Sequence, residues 1–497
     1  MPDNGKSRNV KETIKSVALV VLFLLTILLL YVYWKDINPK SFNFDNLKNQ
    51  ENQKAVILIE DILYPDAFEI SYGDESYGTA FHNTKELWYE EEGKADFVTA
   101  LKGFLNTKDL FTEEITKEQY EKVMEQESIK AVFDLDLPVS FILKTYDINI
   151  PKTLSQQDMV SEIGYSFASM ESLFLKNTEQ NKYIRIVRAQ ENIDDYGFSD
   201  VYLNADLYAE SAYPLSALLG EEGYNTLVPL PLRLTHNLFT YTNERNQGGE
   251  EFERALAKTF FGDIFDFTRI IKEAQGTVTY MYGYGQRVLV SESKGAFYYT
   301  NQEAKESISD YYDSLDKALL FISKHMGTED AQGVTRDLKL CDVKLQKNDL
   351  GQRGITYTFC LIGKEPVKYK TGEALSVTVK GDKISDYKRD FYLTYKEQSE
   401  ILSLGDYTAV NVLAKNYEDM LHKLKEEGFF EEGEKLSFNG LLDLLTRITI
   451  GDVRFDKNNE GIGKIETCFI FSFSKEGERI DMYYSIKDAL FMGYSIR

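Results

Sequence analysis

VALVVLFLLTILLLYVYW, Val17 to Trp34, runs without one charged residue, and its reading decides how the rest of the chain is arranged. At about 1.5 Å per helical residue the run reaches roughly 27 Å, close to the hydrocarbon thickness of a bilayer. A transmembrane anchor helix is expected over residues 16–34. Lys6, Arg8, Lys11 and Lys15 precede it, against Asp3 and Glu12. Positive charge stays on the cytoplasmic side, which predicts a cytoplasmic tail at 1–15 and an extracytoplasmic body after Trp34. Lys15, Tyr31, Tyr33 and Trp34 fall where membrane-interface anchors belong. A cleaved signal peptide shares the basic start and apolar core but needs small residues next. Here Tyr, Val, Tyr, Trp and Lys close the run, so the uncleaved, single-pass anchor at the cell membrane is preferred.

Residues 35–54 are polar and rich in Asn, Lys and Gln, as a stalk should be. About 460 residues follow the anchor, enough for two to four domains. The 33 Tyr and 31 Phe suit pleated, half-buried surfaces. The expected class is α+β, antiparallel sheets with packed helices. Domains are expected at 55–180, 181–330 and 331–497. In the first, a strand is predicted at 55–62, then a hairpin turning at Gly73-Asp74. Helices are expected at 94–106 and 116–127, the second opened by a Thr116/Gln119 capping box. Strands should follow at 129–135, 183–188 and 200–208. Further on, a Gly-Gly turn at 248–249 precedes a helix, and strands are expected at 277–282, 287–290 and 296–300. Apolar residues at helical spacing mark helices at 303–325 and around Leu413 to Leu424. Between them strands are expected near 337–347, 353–362, 374–380 and 384–394, and a hairpin through 467–474 and 479–486 ends the series. A helix on an antiparallel meander recurs about twice, suggesting related modules in tandem.

Net charge is −23. The tail is slightly basic, so the outer body carries about −25, which repels phosphate backbones and argues against nucleic acid as a partner. Three cysteines are too few for a disulfide framework. Cys341 and Cys360 lie on neighbouring strands and could pair, but isolated buried thiols, with Cys468, are the preferred reading.

The catalytic inventory is sparse. His82, His236, His325 and His422 show no metal-ligand spacing. Nucleophile elbows and a Walker loop are missing from the sequence. Gly283-Tyr284-Gly285 lacks the third glycine of a phosphate cradle, and a strand follows it. Asp134-Leu-Asp136 resembles a DxD metal motif, though alternation after Val132-Phe133 reads better as a half-exposed strand. Asp456 to Gly461 mimics the start of a calcium loop, yet Thr467 stands where its bidentate Glu belongs. No catalytic, cofactor-binding or metal residue is assigned. A hydrolase using unrecognised carboxylates stays as a minor alternative.

Tail, anchor and long acidic body together resemble the YycH family. Ile62-Leu-Tyr-Pro65, Tyr72-Gly73-Asp74 and Tyr77 look like the opening of its first domain, and Ser128 to Phe133 running into Leu137-Pro138 like a later strand. The most specific likeness is Phe261-Gly-Asp263, Arg269 and Gly276 to Leu289, with Tyr280, Gly283, Gly285 and Gln286 at its centre. Gly363, Pro366, Leu375 to Val379 and Tyr387 to Arg389 resemble the C-terminal domain, which the likeness implies is YycI-like. Gly283 and Gly285 read as tight backbone geometry between two strands, a structural role. The resemblance implies a non-enzymatic regulator of a WalK-like sensor histidine kinase in a two-component system controlling cell-wall metabolism. Its implied partners are the kinase's membrane helices and, outside, a YycI-like protein. Leu22, Leu25, Thr26 and Leu29 are the candidate contacts within the membrane. The run lacks a small-xxx-small face, so association would use Leu, Val and Phe surfaces with Thr26 as the one interhelical hydrogen bond; the alternative is a simple tether. A second functional reading is an extracytoplasmic binding module for a small wall-derived ligand.

Overall fold

Gly73, Asp74 and Glu75 all adopt positive φ (+74°, +49° and +61°), and they close the first hairpin where the Gly-Asp pair places it. The computed structural model describes residues 57–496 apart from short segments such as 305–309, 348–352, 431–436 and 456–462. The tail, anchor and stalk therefore lie outside the described residues, as do Gly363, Pro366 and the calcium-loop mimic. Among the described residues no helix is long and apolar enough to cross a membrane.

The first sheet holds nine strands. They are β1 (Ala67–Gly73), β2 (Ser76–Ala80), β3 (Leu110–Ile115), β4 (Ser128–Pro138), β5 (Met159–Ser166), β6 (Ser172–Asn177), β7 (Lys182–Arg188), β8 (Glu210–Pro214) and β9 (Leu227–Pro229). Their order is β3-β7-β6-β5-β4-β1-β2-β8-β9. Side chains alternate across a strand, so each strand divides between two faces. One face is apolar: Phe68 meets Phe97 at 5.7 Å between ring centroids, and Tyr165 stacks on Phe198 at 4.1 Å. Those partners belong to helices Phe97–Leu105 and Phe198–Asp206. The other face carries helix Lys117–Met124, whose start is closed by the reciprocal Thr116/Gln119 bonds of a capping box.

Next, β10 (Arg233–Asn243) starts a different sheet. Helix Glu244–Phe261 follows, broken at Gly249 (φ +63°). The middle sheet then forms from β11 (Arg269–Lys272), β12 (Val278–Tyr282), β13 (Arg287–Ser291), β14 (Phe297–Asn301), β15 (Leu338–Lys347) and β16 (Arg353–Leu361). A short β17 (Lys368–Tyr369) crosses to the last sheet before β18 (Leu375–Lys380) and β19 (Lys383–Arg389) return. The middle order is β11-β12-β13-β14-β19-β18-β16-β15, with helix Tyr311–Lys324 packed on it. The last sheet gathers β20 (Tyr392–Ser403), β21 (Leu445–Phe455), β22 (Gly463–Lys475), β23 (Glu478–Ser485) and β24 (Phe491–Ile496) around β10. Helices Ala409–Glu426 and Phe438–Leu444 share its apolar core. The class is mixed α+β, and among the described residues pairing is antiparallel except where β17 lies parallel to β21.

Three expectations need correction. Residues 59–62 form a helical turn, not a strand, because Ile59 and Ile62 bury the same side at a spacing of three. The expected strand at 200–208 is the helix Phe198–Asp206; Phe198, Val201 and Ala205 are the buried positions, and that is helical spacing. Cys341 and Cys360 are disulfide-bonded, their Cα atoms 5.9 Å apart, where β15 meets β16. Cys468 is a buried free thiol. The first sheet runs to Pro229, and the middle sheet is inserted between β10 and β20.

Candidate functional site

The polar face of the first sheet carries the most concentrated chemistry. Register alone assembles it. Thr79 pairs with Glu69, Glu69 with Lys130, Glu162 with Lys176 and Lys176 with Tyr183, one neighbouring strand after another. Glu162 and Lys130 stand diagonally across β4 and β5, because Glu162 faces Val132 in the pairing. The result is a cross-strand row of alternating sign. Lys130 Nζ lies 2.5 Å from Glu69 Oε2, and Lys176 Nζ lies 2.5 Å from Glu162 Oε1. The Tyr120 hydroxyl, from the helix above, donates to Glu162 Oε2 at 2.9 Å.

Burial alone would raise the Glu162 carboxyl, but Lys176 and Lys130 outweigh it and hold it at about 2. Burial likewise opposes the Lys130 charge, and Glu69 with Glu162 overcomes that, raising it above the ordinary lysine value. Tyr120 is pushed up by burial and by Glu162. Glu162 and Lys130 are thus held in their charged forms. A carboxyl ionised this firmly is a poor general acid near neutrality, so Glu162 lacks the raised value that glycoside hydrolysis asks of its proton donor.

A cavity of about 410 Å³ opens on this row. Its opposite wall is formed by Tyr224 to Leu227 and by the start of β21, two segments joined where Thr226 Oγ1 donates to the Leu445 carbonyl at 3.3 Å.

Beside it Asp134 is the centre of an ion cluster that the DxD reading did not anticipate. Its side chain is 6% exposed. Lys368 Nζ approaches at 2.8 Å, Arg447 bonds it directly, and Arg479 Nη2 stands at 3.7 Å. The Asp134 N–H donates to Asp66 Oδ2 at 2.7 Å, while Lys339 Nζ donates to Asp66 Oδ1 at 2.7 Å. Burial would raise Asp66, yet Lys339, Arg447 and Lys368 lower it. These residues come from β4, β15, β17, β21 and β23, so one cluster joins all three sheets. A second buried pair, Arg389 and Glu244, is bidentate at 2.8 and 2.6 Å and wholly unexposed. It ties β19 to the helix after β10.

Of the residues singled out by sequence, Lys15, Leu22, Leu25, Thr26, Leu29, Tyr31, Tyr33 and Trp34 lie outside the described residues. Gly283, Gly285 and Gln286 sit at the tip of the β12–β13 hairpin and Tyr280 within β12, opposite Leu289; none of them lines the cavity. The Tyr280 hydroxyl donates to Glu253 Oε1 at 3.0 Å, and Ser291 Oγ donates to Glu253 Oε2 at 3.0 Å. Gly283 and Gly285 have φ of +58° and +98°, and a Cβ on Gly283 would collide with Gln286. Between them Tyr284 is fully exposed. The histidines do not converge: His236 is buried beside Glu466 (3.3 Å) and Glu400 (3.9 Å), and His325 packs edgewise on Phe260. His82 and His422 are exposed.

Fold and site define a three-sheet α+β body with a polar, ion-lined cavity. No family model and no curated protein matches the sequence. A solved structure does: the crystal structure of YycH from Bacillus subtilis matches with a TM-score of 0.51 at 13% identity, covering 85% of this chain and 96% of that one. The chain has a YycH-like fold. The Bacillus megaterium YpeB C-terminal domain matches at a TM-score of 0.24 and 10% identity, over 50% of this chain and 97% of that one, too low to argue from.

Proposed function

We propose that this protein is a non-enzymatic, membrane-anchored regulator of a WalK-like sensor histidine kinase controlling cell-wall metabolism. The observation that carries the reading is the YycH-like fold, which extends over nearly the whole of the solved YycH chain. In this reading the helix at 16–34 contacts the kinase's membrane helices through Leu22, Leu25, Thr26 and Leu29, spaced to share one helical face. The outer body contacts a YycI-like protein. Exposed apolar residues supply surface for such a contact: Phe267, Ile270 and Tyr284 at one edge of the middle sheet, and Leu203 and Leu207 at helix Phe198–Asp206.

In-membrane crosslinking tests it. A photoreactive residue placed in turn at Leu22, Leu25, Thr26 and Leu29 should capture a histidine kinase, identified by mass spectrometry, more strongly than one placed at Leu24 or Ile27 on other faces. Lipid adducts alone at every position would refute kinase contact through this helix. One observation favours a second reading: the ion-lined cavity suits a binding module for a small ligand.

A further inference from the structure

We infer that the cavity over the Glu69–Lys130–Glu162–Lys176 row binds a neutral, polyhydroxylated ligand, a saccharide. This rests on the second reading above and names its ligand class.

A sheet face covered by other elements is ordinarily apolar, and replacing buried ion pairs by packed hydrophobics is often neutral or stabilising. Two lysines and two glutamates in register on such a face, beneath open volume, are therefore costly for stability alone. The geometry then selects among ligands. Anions find no excess of positive charge: Glu69, Glu162 and Asp443 line the cavity beside Lys130 and Lys176, and Arg447 is committed to Asp134. A zwitterion would have to break pairs already closed at 2.5 Å.

Hydroxyl groups need break nothing. An ammonium has three donors, and among the described residues Lys130 donates only to Glu69 and Lys176 only to Glu162. Among the described residues Glu69 is bonded through Oε2, to Lys130, and its Oε1 faces no other donor. Hydroxyls both donate and accept, and bonds to ionised partners are the stronger kind. Tyr77, Phe81 and Tyr224 are half-buried at the same cavity and offer ring surface to the C–H face of a sugar. The volume, about 410 Å³, lies within the range of small-molecule sites.

The test is saturation-transfer difference NMR on the full chain in detergent, with maltose and N,N′-diacetylchitobiose as probes and glutamate and inorganic phosphate beside them. Saturable binding of a saccharide, weakened at least tenfold by Lys130→Met and by Tyr224→Ala, is expected. Tyr224 lies outside the strands but packs against the core of the last sheet, so the melting midpoint of Tyr224→Ala is measured beside its binding, and only a variant that keeps the wild-type fold counts. Saccharide binding that survives Tyr224→Ala unchanged would overturn the assignment to this cavity. Binding of glutamate or phosphate without saccharide would overturn the ligand class while leaving a small-ligand site in place. No binding of any probe would overturn both.

Discussion

Glu162 shows how a single residue carries a pH signature. Its carboxyl titrates at about 2 in the folded protein against an ordinary 4.5. The unfolded chain therefore takes up the proton first as pH falls. The stability contributed by Glu162 is complete above about 4.5 and is lost progressively down to about 2. Urea midpoints measured between pH 6 and 2 should fall, and Glu162→Gln should flatten that fall; an unchanged slope in the variant would remove Glu162 as its source. Sequence marked the hairpin of β1 and the strand of β4 but not β5, β6 or this row, because Glu69 and Lys130, and Glu162 and Lys176, lie apart along the chain and only the register between strands brings them together. Asp134 was hidden for the same reason: Lys368 lies 234 residues away and Arg447 313 residues away. No local pattern announces such partners.

Elements set by near neighbours were legible. The Gly73-Asp74 hairpin and the Thr116/Gln119 cap need only three or four consecutive residues, and both formed as expected. The segments at 59–62 and 198–206 were misread because short runs rich in Ile, Val and Tyr suit strand and buried helix alike. The disulfide belongs to this scale as well. Strands β15 and β16 were expected, but the bulge between Leu340 and Asp342 that accompanies the bonded pair has no sequence mark. The bond closes a loop of 19 residues. Replacing both cysteines by Ser should cost about 3 kcal/mol in the chain-entropy view. Calorimetry with and without reductant checks it: reductant should lower the wild-type midpoint and leave the double variant unmoved.

At the scale of the whole molecule, the Asp134 cluster makes the three sheets depend on one another. Chain from Ala55 onward forms one compact unit, and its unfolding should appear as one calorimetric transition. Asp134→Asn leaves Lys368, Arg447 and Arg479 crowded without their shared counter-charge. Breaking a buried ion cluster this way is expected to cost on the order of 3–5 kcal/mol. The single transition should then broaden or divide as the last sheet parts from the first. A sharp, unshifted transition in Asp134→Asn would show that the cluster contributes little.

Strand β10 ends at Asn243, and its partner there is Tyr392. The chain between them, apart from the short β17, leaves the last sheet and re-enters it at adjacent positions. During synthesis, β10 emerges long before either of its partners β20 and β22 exists, and the middle sheet must be made in the interval. An orphan eleven-residue strand is a template for wrong pairing, and long-range strand closure is slow. Newly made chains should consequently pass through a stage in which the middle sheet has folded while β10 still waits, exposed. The demand this places on chaperones is set by the order of the strands rather than by the stability of the finished protein.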